Sequence, residues 1–297
     1  MTDIRQDFVE MMNRMTQGKA KLGDKVDMDD LKENCAKIQE AIMPCLKVDI
    51  ANGYEPCPFC FSGGDKLAEL VWVGLNPGNP MDDWNPFSKN TTWQELADFC
   101  APAKGILASE KNVYRFIAEK GVSNTYYRTV LRLHHAFFEG VSYDTWTDLV
   151  KGVGKGNIEK VFLDCFAKHP VLNADLLPYK SSTAAFSVSA LAENPKGKAY
   201  LDGLISLIEN KSTEDTYVVF FGRVEEVKEI LDNRLAFDRD GQWDEQPFPS
   251  LSKKKTFSVF FRKWGKRKLI LSPFCGKQTG FYRVTELQKA AKAYFGK

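Results

Sequence analysis

Residues 67–80, LAELVWVGLNPGNP, join a buried strand to the loop that follows it. The apolar run from Leu70 to Val73 is typical of a strand that is covered on both faces, and Gly74 ends it. After Leu75, residues 76–80, Asn-Pro-Gly-Asn-Pro, favour tight turns. Asn76 therefore follows directly after a buried strand, where α/β proteins place the side chains that bind ligands.

Three further segments predict strands of the same sheet, namely residues 169–179, 216–222 and 268–274. Helical patterns lie between them, and strands that alternate with helices indicate a parallel sheet with helices on both faces. We therefore predict an α/β fold, a single three-layer α/β/α domain with a small, mostly parallel, four-stranded sheet. A hairpin is expected over residues 255–271, with its turn at 264–266, so that its second strand is the last strand of the sheet.

The chain is expected to divide into an extension and one large domain. Residues 1–50 predict an N-terminal helical extension packed on the core, with Asp27 or Asp29 as an N-cap. Residues 51–297 predict the α/β/α domain, which carries an insertion at about 223–268.

The composition is that of an ordinary soluble protein, with 43% hydrophobic and 27% charged residues. No apolar run is long enough to span a bilayer, and the charged amino terminus lacks a signal-peptide core. We expect a cytoplasmic protein with no membrane association.

The seven cysteines favour reduced thiols over a disulfide framework. Cys57 and Cys60 form a C-x-x-C pair, which is half of many zinc sites and also a redox motif. Since no second close pair accompanies them, we favour buried thiols at a tight turn and expect neither a metal nor a cofactor.

The net charge of +2 conceals an asymmetry along the chain. Residues 251–297 contain 13 Lys or Arg and one Glu, a net +12, whereas the other 250 residues carry 28 basic and 38 acidic groups, a net −10. A solvated surface explains many charged segments, but this density in strand-like sequence favours a face that binds a polyanion.

Four loops that follow the predicted strands carry polar or glycine-rich sequence. They read GLNPGNP, NADLLPYKSS, FGR and SPFCGKQTGFYR. Because ligands bind at the carboxyl ends of parallel strands, we expect the four loops to converge on one crevice.

The loops, in this order, resemble those of the uracil-DNA glycosylase superfamily. GLNPG is most similar to the loop of the mismatch-specific uracil and thymine glycosylases, and NTTWQELADF is similar to the start of their next helix. The resemblance covers discontinuous blocks from Leu70 to Tyr282. It departs in the last loop, where Ser272-Pro273-Phe274-Cys275 stands in place of the His-Pro-Ser-Pro of many members.

The resemblance implies a monofunctional glycosylase that hydrolyses an N-glycosidic bond and leaves an abasic site. Asn76 would orient the attacking water, although an asparagine also caps many turns. Asp175 would supply the carboxylate that the first loop lacks. The Ser272 hydroxyl, a backbone amide near Gly276 or Lys277 would take the place of the histidine that bonds the departing base.

The resemblance also implies a pocket for a base that is flipped out of the duplex. Its predicted residues are Gly74, Leu75, Gly78, Phe87 and Asn173. Gly78 would leave room for substituents on carbon 5 of a pyrimidine, Phe87 would stack on the base, and Asn173 would bond its edge. Alternatively, Gly78 is needed only for its backbone freedom, and Phe87 is a residue of the core.

Double-stranded DNA is the expected partner, and a monomer is the expected state. The predicted DNA-binding residues are Gly276, Lys277, Gln278, Arg283, Lys266, Arg267 and Lys268.

Two questions stay open on the sequence alone. Loss of the histidine also permits a catalytically silent nucleic-acid-binding protein, whereas a nucleotide-binding protein is disfavoured because neither phosphate-loop motif is present. The N-terminal extension and the insertion would suit a bulky, phage-type modified base, and hence a role in antiviral defence.

Overall fold

The fold is that of a computed structural model. It describes residues 3–16, 20–27, 29–31, 33, 57–75, 90–120, 122, 125–177, 188–235, 242–249, 256–273 and 283–296. Over these residues the protein is a mixed α/β structure, which confirms the predicted class. None of the described helices is both long and apolar enough to cross a membrane.

The sheet has seven strands rather than the predicted four. They are β1 (Phe59–Phe61), β2 (Ala68–Gly74), β3 (Val171–Asp175), β4 (Ser212–Phe221), β5 (Asp244–Pro249), β6 (Thr256–Trp264) and β7 (Arg267–Ser272), in the order β1-β3-β2-β4-β7-β6-β5. The prediction of a mostly parallel sheet is wrong as well, because β1 pairs antiparallel with β3, β5 with β6, and β6 with β7.

The two edge strands escaped prediction for physical reasons. β1 is only three residues long and includes Cys60, the second cysteine of the turn-like C-x-x-C segment. β5 contains two prolines and two acidic residues, a composition that is confined to sheet edges because proline cannot donate a ladder hydrogen bond.

The four predicted strands are all present, as β2, β3, β4 and β7. β4 runs parallel to β7, with Tyr217 opposite Lys268 and Phe221 opposite Ser272. The predicted hairpin is also confirmed, since Trp264 pairs with Arg267 across a two-residue turn. Gly265 occupies this turn with φ 57°, a conformation that glycine adopts without a steric penalty.

The helices lie between these strands as the pattern predicted. They are α1 (Ile4–Thr16), α2 (Trp93–Cys100), α3 (Val113–Glu119), α4 (Thr125–His134), α5 (Trp146–Val153), α6 (Ile158–Lys168), α7 (Val188–Glu193), α8 (Pro195–Lys211), α9 (Val224–Arg234) and α10 (Val284–Phe295). A π-helix, His135–Glu139, continues α4.

Two helix starts are explained by side-chain caps. Asp27, one of the two predicted N-caps, accepts hydrogen bonds from the backbone amides of Asp29 and Asp30 at 3.1 and 3.0 Å. Asn194 separates α7 from α8, and its side chain accepts a hydrogen bond from the Lys196 amide at 3.0 Å. Pro195 then begins α8, a position where its missing N–H costs nothing.

The chain divides into two units, each built from segments that are far apart in sequence. Unit 1 consists of Met1–Leu67, Val73–Asn112 and Leu172–Lys211. Unit 2 consists of Ala68–Trp72, Val113–Val171 and Ser212–Lys297. The boundaries predicted at residues 50 and 51 stay a prediction.

In unit 1, the N-terminal helix α1 packs against α8. A Cβ atom at Gly203 would lie 2.6 Å from the Cδ atom of Arg14, so glycine permits this close approach. At the end of α8, Lys211 is buried and forms an ion pair with Asp7 at 2.8 Å. The ring of Phe8 meets Phe59 edge to face, at 5.6 Å between centroids. Helix α1 is thus anchored by both apolar and charged contacts.

In unit 2, aromatic side chains hold the sheet. Trp72 and Phe221 stack with their ring centroids 3.7 Å apart, and both are almost fully buried. Tyr217 of β4 stacks on Phe137 with centroids 4.2 Å apart. These contacts fix β4 by its apolar face, and its carboxyl end is therefore rigidly supported.

Candidate active site

The end of β2 is held beside the end of β3 by backbone hydrogen bonds within unit 1. The Leu176 amide donates to the Gly74 carbonyl at 2.9 Å, and the Leu177 amide donates to the Leu75 carbonyl at 2.9 Å. Gly74 and Leu75, two predicted pocket residues, are therefore brought next to the residues that follow Asp175. The predicted site residues Asn76, Gly78 and Phe87 lie outside the described residues.

Asn173 and Asp175 lie two residues apart on β3, so their side chains share one face of the strand. Both are buried, and Asn173 faces Cys60 in the antiparallel register with β1. The structure thus brings together the two polar residues that the sequence assigned to the end of this strand.

Burial raises the pKa of the Asp175 carboxyl well above its usual range, and the nearby charge of Cys57 raises that pKa further. Removal from water disfavours the charged form, and a neighbouring negative charge acts in the same direction. Buried carboxyls with a raised pKa are frequent among catalytic acids and bases.

Tyr200 supports this strand end from α8. Its buried hydroxyl lies 2.8 Å from the Asp175 carbonyl oxygen and 3.3 Å from the Pro58 carbonyl oxygen, and it can donate to either. Sequence reasoning missed Tyr200, because a tyrosine in the apolar pattern of a helix looks like a core residue. Its position next to the carboxyl end of β3 depends on the tertiary structure alone.

Ser272 ends β7 in unit 2, where the Gly222 amide donates to its carbonyl oxygen at 2.8 Å. The Ser272 side chain is fully buried, and its hydroxyl donates to the Pro273 carbonyl oxygen at 3.0 Å. Ser272 would have to release this hydrogen bond before it could donate to a departing base.

The turn after β4 has an unusual backbone. Gly222 and Arg223 have φ angles of 82° and 45°. Residues other than glycine rarely adopt a positive φ, so the backbone of Arg223 is unusual. The exposed Arg223 guanidinium forms an ion pair with Glu226 at 3.1 Å. A cation therefore stands at the carboxyl end of β4, beside the end of β7.

The predicted DNA-binding residues of the hairpin lie at the other end of β7. Arg267 and Lys268 begin this strand and Ser272 ends it, which separates Arg267 from Ser272 by about 17 Å. Lys266 forms an ion pair with Glu214 at 2.5 Å, and Arg267 donates to the Ser212 hydroxyl at 2.7 Å.

Lys268 approaches Asp215 at 3.7 Å and lies over the ring of Tyr217, 4.7 Å from its centroid. The structure does not bring the hairpin cations together with the strand ends, and acidic residues of β4 offset part of their charge.

Arg283 is exposed immediately before α10. Gly276, Lys277 and Gln278 lie outside the described residues. Since Ser272 belongs to unit 2 and Asp175 to unit 1, the predicted convergence of the four loops stays a prediction.

Three cysteines meet in unit 1, where the sequence predicted the Cys57 and Cys60 pair as buried thiols at a tight turn. The Cys57 sulfur lies 3.7 Å from the sulfurs of both Cys60 and Cys100. Hydrogen bonds with the Cys100 and Cys60 thiols lower the pKa of Cys57 well below the usual value. Hydrogen bonds within the trio raise the pKa of Cys60 and Cys100. Cys57 is therefore the thiol of the three that loses its proton most readily.

The three histidines lie away from the carboxyl ends of the strands. His169 immediately precedes β3, and the buried His134 lies with its Nε2 atom 3.0 Å from the His169 carbonyl oxygen. His135 lies near Cys165, at 3.7 Å between Nε2 and Sγ. Each of them packs within unit 2, and none takes the place of the histidine that Ser272 replaces.

In comparisons with protein-family models, curated proteins and solved structures, nothing matches this chain.

Proposed function

We propose that the chain is a monofunctional DNA glycosylase. Its substrate would be a flipped-out pyrimidine that is mismatched or substituted on carbon 5, including bulky phage-type bases, and its product an abasic site. One observation carries the proposal: the buried Asp175 carboxyl lies at a strand end that is hydrogen-bonded to the start of the Asn76 loop. N-glycosidic hydrolysis requires a positioned water, which we assign to Asn76, and a negative charge near the sugar, which we assign to Asp175.

Asp175 acts as the general base and as the charge that stabilises the sugar. The carboxylate form is the one that acts in both roles, and burial raises its pKa and hence its affinity for the proton of the attacking water. As the bond from the base to the sugar breaks, the electron pair leaves with the base and the sugar becomes positively charged. Asp175 then removes a proton from the water that adds to the sugar carbon.

Asn76 and Asn173 take complementary roles in this scheme. The Asn76 carbonyl oxygen accepts a hydrogen bond from the attacking water and so orients it. The Asn173 side chain donates to the edge of the departing base, whose negative charge strengthens that hydrogen bond in the transition state.

The proposal is tested by alkaline cleavage of labelled duplexes after incubation with the protein. The duplexes carry uracil, a thymine mismatch, hydroxymethylcytosine or glucosylated hydroxymethylcytosine. Asp175→Asn and Asn76→Ala are expected to reduce cleavage of the preferred duplex by about 10²- to 10⁴-fold, the usual contribution of a general base. Asp164→Asn is the matched control, since Asp164 is a surface residue of α6 paired with Lys160.

A specific observation favours a second candidate, a catalytically silent DNA-binding protein on the same fold. The Ser272 hydroxyl is already engaged by Pro273, and no described histidine lies at the carboxyl ends of the strands. In that case the protein would bind duplexes tightly and release no abasic product. Electrophoretic mobility shifts on the same duplexes separate the two candidates.

A further inference from the structure

The sulfur atoms of Cys57, Cys60 and Cys100 have the spacing of ligands around one metal ion. All three lie within 4.8 Å of one another, and two of the separations are 3.7 Å. In a tetrahedral zinc site with zinc–sulfur bonds of 2.3 Å, neighbouring sulfurs are about 3.8 Å apart. The observed separations thus fit thiolates that share a single ion.

We propose that Cys57, Cys60 and Cys100 bind one Zn²⁺ ion through three thiolates. The fourth tetrahedral position is left to a ligand from outside the trio, which the half-buried Cys57 allows to approach. The zinc site is inferred from the three sulfur atoms and not from the glycosylase activity, so failure of either test leaves the other inference standing.

The geometry favours an ion over the other uses of clustered thiols. A disulfide would draw two sulfurs to about 2 Å and leave the third alone, whereas Cys57 is equally close to both partners. In an iron–sulfur cluster no iron atom binds more than two of the cysteines, so three sulfurs this close to one another fit the ligands of one ion better.

The surrounding backbone is built to hold these cysteines. Cys100 is the last residue of α2, where the carbonyl end of the helix dipole attracts a cation. Gly64 adopts φ 66° on the loop after β1, and a Cβ atom there would lie 2.5 Å from the Gly105 nitrogen. This glycine lets the loop after β1 approach the loop after α2, and so brings the C-x-x-C pair to Cys100.

The ion would also support the end of β3. Pro58, between the two cysteines of the pair, and Asp175 both offer their carbonyl oxygens to the Tyr200 hydroxyl. An ion that fixes the C-x-x-C loop thus fixes one side of the contact that supports Asp175. Its role is structural, because zinc sites built mainly from thiolates contribute directly to folding.

The test uses the full-length protein, purified without chelators, and measures zinc by mass spectrometry together with the spectrum after exchange into Co²⁺. We expect one zinc per chain and a near-ultraviolet thiolate-to-cobalt charge-transfer band. Cys57→Ser, Cys60→Ser and Cys100→Ser are each expected to lower zinc affinity at least about tenfold. Cys165→Ser, a change of a buried thiol in unit 2, should retain one zinc per chain.

A second measurement on the unaltered protein covers the case in which the serine variants fail to fold. Thiol alkylation followed by peptide mass spectrometry should find the trio protected until a chelator removes zinc. A protein without zinc and without the cobalt band would overturn the proposal. So would iron with acid-labile sulfide, a disulfide within the trio, or thiols that alkylate at the same rate with and without the chelator.

Discussion

The burial of His134 makes the folding stability of the protein sensitive to acid. The Nε2 atom faces the His169 carbonyl oxygen, and since a carbonyl only accepts, Nε2 carries the proton of the neutral ring. Nδ1 is buried without a hydrogen-bond partner among the described residues, so a second proton there would be unpaired. Burial therefore lowers the pKa of His134 from 6.5 to about 3, with smaller opposing contributions from neighbouring groups that include Glu139.

The sign and size of the effect follow from these two pKa values. Below pH 6.5 His134 is protonated in the unfolded chain but stays neutral in the folded protein. The free energy of unfolding therefore decreases as the pH falls from 6.5 towards 3. At pH 5, which lies 1.5 units below the unfolded pKa of 6.5, this protonation favours the unfolded state by about 2 kcal/mol, at 1.36 kcal/mol per unit. Above pH 7 this contribution to stability is fully present.

The perturbation is His134→Gln, which cannot be protonated and whose side-chain amide can still donate to the His169 carbonyl oxygen. Urea unfolding followed by tryptophan fluorescence at pH 8 and pH 5 gives the free energy of unfolding of both proteins. Between these pH values the unaltered protein should lose about 2 kcal/mol more than the variant. Groups that titrate in both proteins cancel in this comparison, and equal losses would refute the reasoning.

Three further changes test the packing by urea unfolding. Phe221→Ala removes the ring stacked on Trp72 and should lower the free energy of unfolding by about 3–5 kcal/mol, and a loss below about 1 kcal/mol would contradict a packed stack. Lys211→Met leaves Asp7 without its buried ion-pair partner and should cost about 3 kcal/mol, whereas an unchanged stability would show that the pair is exposed in solution. Gly64→Ala should cost at least about 2 kcal/mol, because the added Cβ atom meets backbone at a positive φ, and a neutral result would mean that this loop rearranges freely.

Strands β2, β3, β4 and β7 could be predicted because each is a buried apolar run that ends in turn-forming or polar residues. Asn173 and Asp175 followed from that pattern, since the last residues of such a strand reach its carboxyl end. Edge strands lack the pattern. β1 is too short to show a period, and β5 carries prolines that only an edge position tolerates.

The contacts that depend on distant residues could not be predicted. Cys100 lies 40 residues after Cys60, and only the packing of α2 beside β1 makes them neighbours. Tyr200 reaches the end of β3 in the same way, through the placement of α8. The position of Lys266 at the amino end of β7 follows from the hairpin, and the register that pairs it with Glu214 required the structure.

The most direct test of the central claim is the abasic-site assay on the four labelled duplexes with the unaltered protein, Asp175→Asn and Asp164→Asn. We expect cleavage of at least one duplex, a loss of about 10²- to 10⁴-fold in Asp175→Asn, and no loss in Asp164→Asn. The absence of an abasic product on every duplex, or undiminished cleavage by Asp175→Asn, would contradict that claim.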